Sequence, residues 1–232
     1  MRVSFVLPSF NSATWLAQAV QSCLEQTHKD IEVVVVDDGS TDSTKDYLAW
    51  QKNADTRVFV LTNKGNRGRS YSRNLGNEAA TGGAICVLDA DDLALQNRAK
   101  IVSEKFEKGA QFLYGSAVQI DPCGRTAGEI RADVFNKDKA MESGVNRIVH
   151  STVAYTPEFA KRFPYRDGEA AKLGLDDWAQ QIEAACAGVK LDFVPNILSA
   201  YRILSGSVSH TRKDDEVKAF KVAFLEAMKQ AA

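Results

Sequence analysis

Four consecutive valines, Val33–Val36, are followed at once by Asp37, Asp38 and Gly39. An apolar run without alternation predicts a strand covered on both faces, as strands of a parallel sheet are. The same join recurs where Ala84–Leu88 runs into Asp89, Ala90, Asp91 and Asp92. Around these runs the chain alternates strand and helix. Val3–Leu7 predicts a first strand ended by Pro8. Ser12 to about Leu24 predicts a helix, with Trp15, Leu16, Val20, Cys23 and Leu24 at helical spacing. A strand over 31–36, a helix over 43–51, a strand over 57–61 and a helix over 70–81 follow. Gly82 and Gly83 stop the last of these before the strand 84–88. Right-handed crossovers turn such a series into a mostly parallel sheet with helices on both faces. Ligands of these sheets bind beyond the carboxyl ends of the strands, where Asp37, Asp38, Asp89, Asp91 and Asp92 all fall.

The later half has a less regular pattern. A helix is expected over 93–108, a strand over 112–120, and a strand over 148–155, with Pro157 starting a short helix. Residues 131–147 are polar and give no assignment. A helix over 175–187, strands near 190–194 and 197–203, and a final helix over 214–229 complete the reading. Val217, Phe220, Phe224 and Met228 form the packing stripe of that last helix.

The chain of 232 residues, 44% hydrophobic, is long enough for one α/β domain with a sizeable core. A formal net charge of -1 supplies no basic field for nucleic acid, so no such partner is expected. No apolar run reaches the roughly 20 residues of a membrane span. The N-terminal "MRVSFVLPSF" is too short for a signal peptide and reads as the first strand. Cys23, Cys86, Cys123 and Cys186 lack zinc-type spacing and read as reduced thiols of a cytosolic protein.

In an extended segment Asp89 and Asp91 point to the same side. Acids so close repel unless a cation or protons offset them. Mg²⁺ or Mn²⁺ suits oxygen ligands, and diphosphate oxygens with waters would fill the rest of its shell. The rival reading is that Asp91 or Asp92 caps a helix beginning at Leu93. Asp38 in "DDGST" can accept hydrogen bonds from a ribose or a base N–H, or serve a capped turn. The sequence "PSFNSA" is not the G-x-G-x-x-G of a nicotinamide enzyme, and no G-x-x-x-x-G-K-[ST] phosphate loop occurs. Lys64, Arg67 and Arg69 lie between the acid sites, where they either offset phosphate or form solvated surface. Arg73 and Asn74 read as the floor of the site, bonded to neighbouring acids or backbone.

Three groups of residues together resemble the family-2 glycosyltransferases, inverting enzymes of the GT-A fold. They are "VSFVLPSFNSATWLAQAVQSCLEQTHKDIEVVVVDDGSTDST", "NRGRSYSRNLGNEAATGGAICVLDADD", and the weaker "GLDDW" with "YRILSGSVS". The resemblance implies a Rossmann-like three-layer α/β/α domain over 1–232 with a mostly parallel sheet. Residues 1–92 would bind the nucleotide sugar, 93–210 would form a variable acceptor-binding half, and 211–232 a C-terminal helix. Pro8 and Phe10 would line the base pocket, Asp38 would bind the base, usually uracil, and Arg67 or Arg69 would contact base or phosphate. Asp89 and Asp91 match the D-x-D motif, Asp91 as metal ligand and Asp89 at the ribose, donor sugar or metal. His210 would approach the metal or diphosphate, and His150 the acceptor or donor sugar. Asp177, in Asp176-Asp177, matches the general base. Ser72 stands where relatives often have alanine, and "GGA" at 82–84 where they have "GEY".

Such an enzyme would move a sugar, UDP-linked by preference, to a hydroxyl of a glycan or glycolipid, in polysaccharide or lipopolysaccharide synthesis. It would work with Mn²⁺ or Mg²⁺ in the cytoplasm. Contact with the inner face of the membrane, and a homodimer through the C-terminal region, are left open. Two rival readings remain. A sugar nucleotidyltransferase would need a glycine-rich, lysine-bearing loop after the first strand, which "PSFNSATW" lacks. A non-catalytic sugar-nucleotide-binding domain would bind nucleotide and turn nothing over.

Overall fold

Val33, Val34, Val35 and Val36 are all buried because both faces of their strand are covered. Val33 and Val35 pack with Val3, Phe5 and Leu7 of β1 (Val3–Ser9) beneath three helices. These are α1 (Leu16–Leu24), α2 (Thr44–Ala54) and α4 (Arg98–Phe106). Val34 faces the other way, with Val6, Ile85 and Val87, toward Tyr155 and Phe159. The period of two along β2 (Ile31–Asp37) thus feeds two cores from one run. A third apolar cluster joins Trp178 and Ile182 to Val217 and Leu225 of the last helix. The structure, a computed structural model, describes residues 1–145, 147–205 and 213–230.

The strands lie in the order β3-β2-β1-β4-β8-β6-β9-β5, with β7 (Thr126–Ile130) on the flank of β6. β1, β2, β3 (Val58–Thr62) and β4 (Ala84–Val87) pair in parallel, as do β6 (Phe112–Ile120) and β9 (Asp192–Arg202). β5 (Leu93–Ala94), β7 and β8 (Ala154–Tyr155) run antiparallel to their neighbours. Helix α3 (Arg69–Ala79) lies close on β1 and β2 because residue 76 is glycine. A Cβ there would stand 2.5 Å from a Val6 methyl and 3.2 Å from one of Val36.

The later half departs from the sequence expectations in four places. The helix expected from residue 93 begins at Arg98, because Leu93–Ala94 pairs with β9. Asp91 and Asp92 are therefore not caps of a helix starting at Leu93. The strand expected over 148–155 shrinks to Ala154–Tyr155, preceded by a 3₁₀ turn at His150–Thr152. Side chains replace the ladder there: Thr152 Oγ1 donates to Val149 O (2.7 Å), and Arg98 donates to Ser151 O and Val153 O. The two late strands are one strand, β9, with a register shift between Tyr114 and Ser116 of its partner. Pro195 and Asn196 read as a strand end in sequence, yet they form a bulge that the ladder spans. Residues 131–147 contain α5 (Lys137–Ser143), started by Asn136, whose side chain accepts from Lys139 N, and ended at Gly144 with φ 66°. Helices α6 (Pro157–Arg162), α7 (Glu169–Lys172), α8 (Asp176–Cys186) and α9 (Asp214–Gln230) complete the chain.

Candidate functional site

At the end of β2 the carboxylates organise backbone. Asp37 Oδ1 accepts from Ser40 N at 3.0 Å. Asp38 accepts from Asn63 Nδ2 (2.7 Å), Arg67 N (2.8 Å) and Gly68 N (2.8 Å), so it is the hub of the loop 63–68. Gly39, at φ 77°, lets that loop lie on the turn, since a Cβ would sit 2.7 Å from Gly65 Cα. Asn11 ties the first strand end to the same turn. Its Oδ1 accepts from Thr41 N (2.8 Å), and its N–H donates to Ser40 Oγ. Phe10 beside it is 43% exposed, a bare ring at the rim of the cleft.

The end of β4 is held by two buried arginines. Arg73 of α3 donates to Asp89 Oδ1 at 2.7 Å and to Asp176 Oδ2 at 2.8 Å. Arg202 of β9 donates from its side chain to Asp91 O and from its backbone to Asp92 Oδ1, both at 2.8 Å, and its guanidinium lies over Trp15. Burial would raise Asp89, but the Arg73 charge wins and holds it near about 2. Asp91 goes the other way. Burial, then the neighbouring Asp89 charge, push it up to about 6. Asp92 is raised well above the carboxylate range for the same reasons, with burial leading.

Among the described residues no three His, Cys, Asp or Glu side chains converge as a metal site. Of the expected pair of carboxylate ligands, Asp89 has its Oδ1 engaged by Arg73. Arg202 and Arg73 act on Asp91, yet burial and the Asp89 charge outweigh them. That fits a divalent ion held by one carboxylate and completed by diphosphate oxygens and water. His210 lies outside the described residues.

Across the cleft, α8 begins at Asp176. This acid is buried and acts as an anchor: it accepts from Arg73 and from Ser70 Oγ (3.0 Å), with Arg69 Nε 3.6 Å away. Arg69 also donates to Ala171 O. Asp177, one residue on, turns into the cleft with its side chain 26% exposed. Its Oδ1 accepts from Trp178 N at 2.8 Å, and its Oδ2 stands 3.8 Å from His150 Nδ1. Burial, then the Arg73 charge, lower His150, which leaves the imidazole neutral at pH 7.

One open cleft of about 960 Å³ joins these parts. Its walls carry Pro8, Phe10, Asp38, Arg69, Asp89, Asp91, His150 and Asp177. Arg67 is absent from them. Its guanidinium lies over the Tyr71 ring, 4.4 Å from the centroid, and only its backbone N–H serves the site, through Asp38. Three residues that organise the cleft were given no role from sequence. Arg202 has only the "YR" of the last motif as a signal. Arg98, fully buried, donates to Val87 O, Ser151 O and Val153 O and so joins the strand end before Asp89 to the turn of His150. Tyr165 sits in a loop with no local signal. Arg73 and Asn74 do close the floor, Asn74 by bonding both Tyr165 N and Tyr165 O.

A mostly parallel α/β/α sheet with acids at the carboxyl ends of its strands, opening on one cleft, is of the GT-A class. The chain belongs to glycosyltransferase family 2: the profile described as Glycosyl transferase family 2 matches residues 4–160. It is 31% identical to the succinoglycan biosynthesis protein ExoO of Rhizobium meliloti, over 95% of this chain and 66% of that protein. S. aureus TarS 1–349, solved in complex with UDP-GlcNAc, superposes with a TM-score of 0.77 at 17% identity, over 98% of this chain and 66% of TarS 1–349. The mannosyltransferase PcManGT from Pyrobaculum calidifontis, solved with GDP-Man and Mn²⁺, gives 0.66 at 17% identity over 89% of this chain and 58% of its own. The chain thus spans 66% of ExoO, 58% of PcManGT and 37% of the longer TarS chain.

Proposed function

We propose that this chain is an inverting glycosyltransferase that moves a sugar from a nucleoside-diphosphate sugar, UDP-linked by preference, to a hydroxyl of a glycan or glycolipid. The observation that carries the proposal is the division of carboxylates across one cleft. Asp89 and Asp91 lie on one wall, Asp177 lies on the other, and Arg73 is braced between Asp89 and Asp176. An inverting transfer is one in-line displacement at the anomeric carbon. It needs no protein nucleophile, and it needs acids for two separate jobs.

Phe10 offers a ring for the base to stack on, and Asp38 Oδ2 keeps one acceptor lone pair for a base or ribose N–H or O–H. Arg69, which lines the cleft while bonded to Ala171 O, would approach phosphate. Asp89, fixed by Arg73, faces the ribose or sugar. Asp91 is the residue that would hold Mn²⁺ or Mg²⁺, which when bound neutralises charge on the departing diphosphate. Asp177 takes the acceptor hydroxyl proton. Preference for uracil rests on Asp38; TarS was solved with UDP-GlcNAc and PcManGT with GDP-Man and Mn²⁺.

A role in cell-surface polysaccharide synthesis is supported by the name of ExoO, a succinoglycan biosynthesis protein. A cytoplasmic site of action belongs to the same proposal, and the four unpaired cysteines agree with it. So do contact with the inner face of the membrane and a homodimer, through the outward side of α9, where Val222 is 57% exposed. The test is turnover by Asp177→Asn. The variant should lose about 10²–10⁴-fold in kcat with binding of the donor unchanged. Turnover within a factor of two or so of the parent protein would refute the assignment.

A further inference from the structure

We infer that His150 is a positioning residue for Asp177, held by a buried hydrogen-bond chain that runs Asn77–Tyr155–Tyr165–His150. The inference rests on the reading of Asp177 as the base. The chain's links are short and continuous. Tyr155 Oη lies 3.2 Å from Asn77 Oδ1 and 3.0 Å from Tyr165 Oη, and Tyr165 Oη lies 3.2 Å from His150 Nε2. Tyr165 also meets the imidazole edge-on, at 87° with centroids 5.5 Å apart, so the ring has little room to turn. The chain joins α3, β8, the loop after α6 and the 3₁₀ turn, then ends against the first turn of α8.

Each link needs one hydrogen, so the chain can run in either of two directions. If His150 Nε2–H donates toward Tyr165, the protons run outward to Asn77 Oδ1. Nδ1 is then a bare lone pair facing the Asp177 carboxylate, which is repulsive. In the opposite direction Asn77 presents Nδ2–H to Tyr155. Tyr155 donates to Tyr165, Tyr165 donates to His150 Nε2, and His150 presents Nδ1–H to Asp177. Exchanging the O and N of the Asn77 amide preserves its shape. The Asp177 carboxylate, 3.8 Å from Nδ1, favours a hydrogen there, and the Asn77 end favours the same direction. Asn77 Nδ2 and His150 Nδ1 are both buried without a hydrogen-bond partner, and they stand at the two ends of the chain. The exchange trades an unpaired buried N–H for an unpaired carbonyl, the milder of the two.

The consequence is a fixed carboxylate. Trp178 N–H holds Oδ1 of Asp177, and the imidazole N–H stands 3.8 Å from Oδ2. Such contacts tighten when substrate closes the site. A second lone pair on each oxygen remains for the acceptor hydroxyl. A neutral imidazole directs the carboxylate while lowering its basicity less than a cation would. The other charged groups around His150 are Arg73 on α3, Asp89 after β4, and Asp176 beside Asp177 on α8.

The experiment compares His150→Leu, His150→Asn and Tyr165→Phe with the parent protein and Asp177→Asn. Each is first checked for cooperative thermal unfolding. The assay is hydrolysis of UDP-glucose, UDP-galactose and UDP-N-acetylglucosamine with Mn²⁺, using the fastest of them. His150→Leu should lower kcat about 10-fold or more, leave the donor KM in place, and move the acid limb of the kcat profile to higher pH. His150→Asn puts an amide N–H near the Nδ1 position and should restore most of the rate. Tyr165→Phe frees the imidazole to choose the other tautomer and should follow His150→Leu at smaller amplitude. If Asp177→Asn is inactive while His150→Leu matches the parent in kcat and pH profile, this inference fails alone. A rise in donor KM with kcat intact would also overturn it, since His150 would then touch the donor. No hydrolysis by the parent protein, or full activity in Asp177→Asn, would remove the base reading and this inference with it.

Discussion

The ends of β2 and β4 carry the same kind of sequence, paired acids after a buried apolar run, and the fold uses them in opposite ways. After β2 the carboxylates accept backbone and amide N–H groups, so Asp38 shapes a loop. After β4 they meet buried guanidinium groups, which hold Asp89 ionised through Arg73 and fix the backbone of Asp91 through Arg202. Two carboxylates stay raised there: Asp92 well above the usual range, and Asp91 pushed up to about 6 by burial and by Asp89, of which Asp91 lines the cleft. Two similar motifs therefore do different work because their partners come from different elements. The loop 63–68 serves the first, while α3 and β9 serve the second.

The largest effect should come from Arg73. Arg73→Met leaves Asp176 buried without its main cation and Asp89 without its partner. Breaking such a buried pair destabilises by about 3–5 kcal/mol. Denaturant unfolding should show the loss, and a stability change below about 1 kcal/mol would mean the β4 end is not held by charge. A smaller effect is expected at the other end. Asp38→Ala strands the N–H groups of Arg67, Gly68 and Asn63 and should cost about 1–3 kcal/mol. The same variant should weaken nucleotide binding through the loosened loop. Equal losses at the two ends would erase the distinction between them.

The smallest effect serves as a control at the opposite end of the same sheet. Glu32, beside Val33, is buried and accepts from Ser4 Oγ, Thr81 N and Thr81 Oγ1. Burial raises its pKa, but those hydrogen bonds and the Arg2 charge outweigh it, and the group sits below its ordinary 4.5. A depressed folded-state value stabilises above the unfolded value and is lost as pH falls below it. The melting-temperature deficit of Glu32→Gln should therefore be full at pH 7 and shrink as the pH drops below 4.5. A deficit constant down to pH 3 would contradict the assignment of charge to Glu32.

The first half of the fold was legible because local signals coincide there. Apolar runs, glycine stops and strand-end acids repeat in short β-α units, and the parallel sheet follows. The second half was less legible because side chains from afar define it. The turn at His150 exists where Arg98 and Thr152 supply bonds in place of a ladder, and β9 crosses Pro195 by a bulge. The site followed the same rule. Asp38, Asp91 and Asp177 could be picked out from motifs, and all three line the cleft. Arg202 and Tyr165 act through partners distant in sequence, Arg202 with only the "YR" pair as a trace and Tyr165 with none. Arg67 read equally as a phosphate contact or as solvated surface, because a basic residue beside an acid site fits both, and its guanidinium lies over Tyr71.

The most direct measurement is titration calorimetry of the purified protein with UDP, GDP, dTDP and CDP, with and without Mn²⁺, beside Asp91→Asn. UDP should bind selectively, more tightly with Mn²⁺, and the metal-dependent part should vanish in the variant. Folded protein that binds none of the four diphosphates, or binds UDP equally well without metal and without Asp91, would contradict the assignment of the β4 acids to the donor diphosphate.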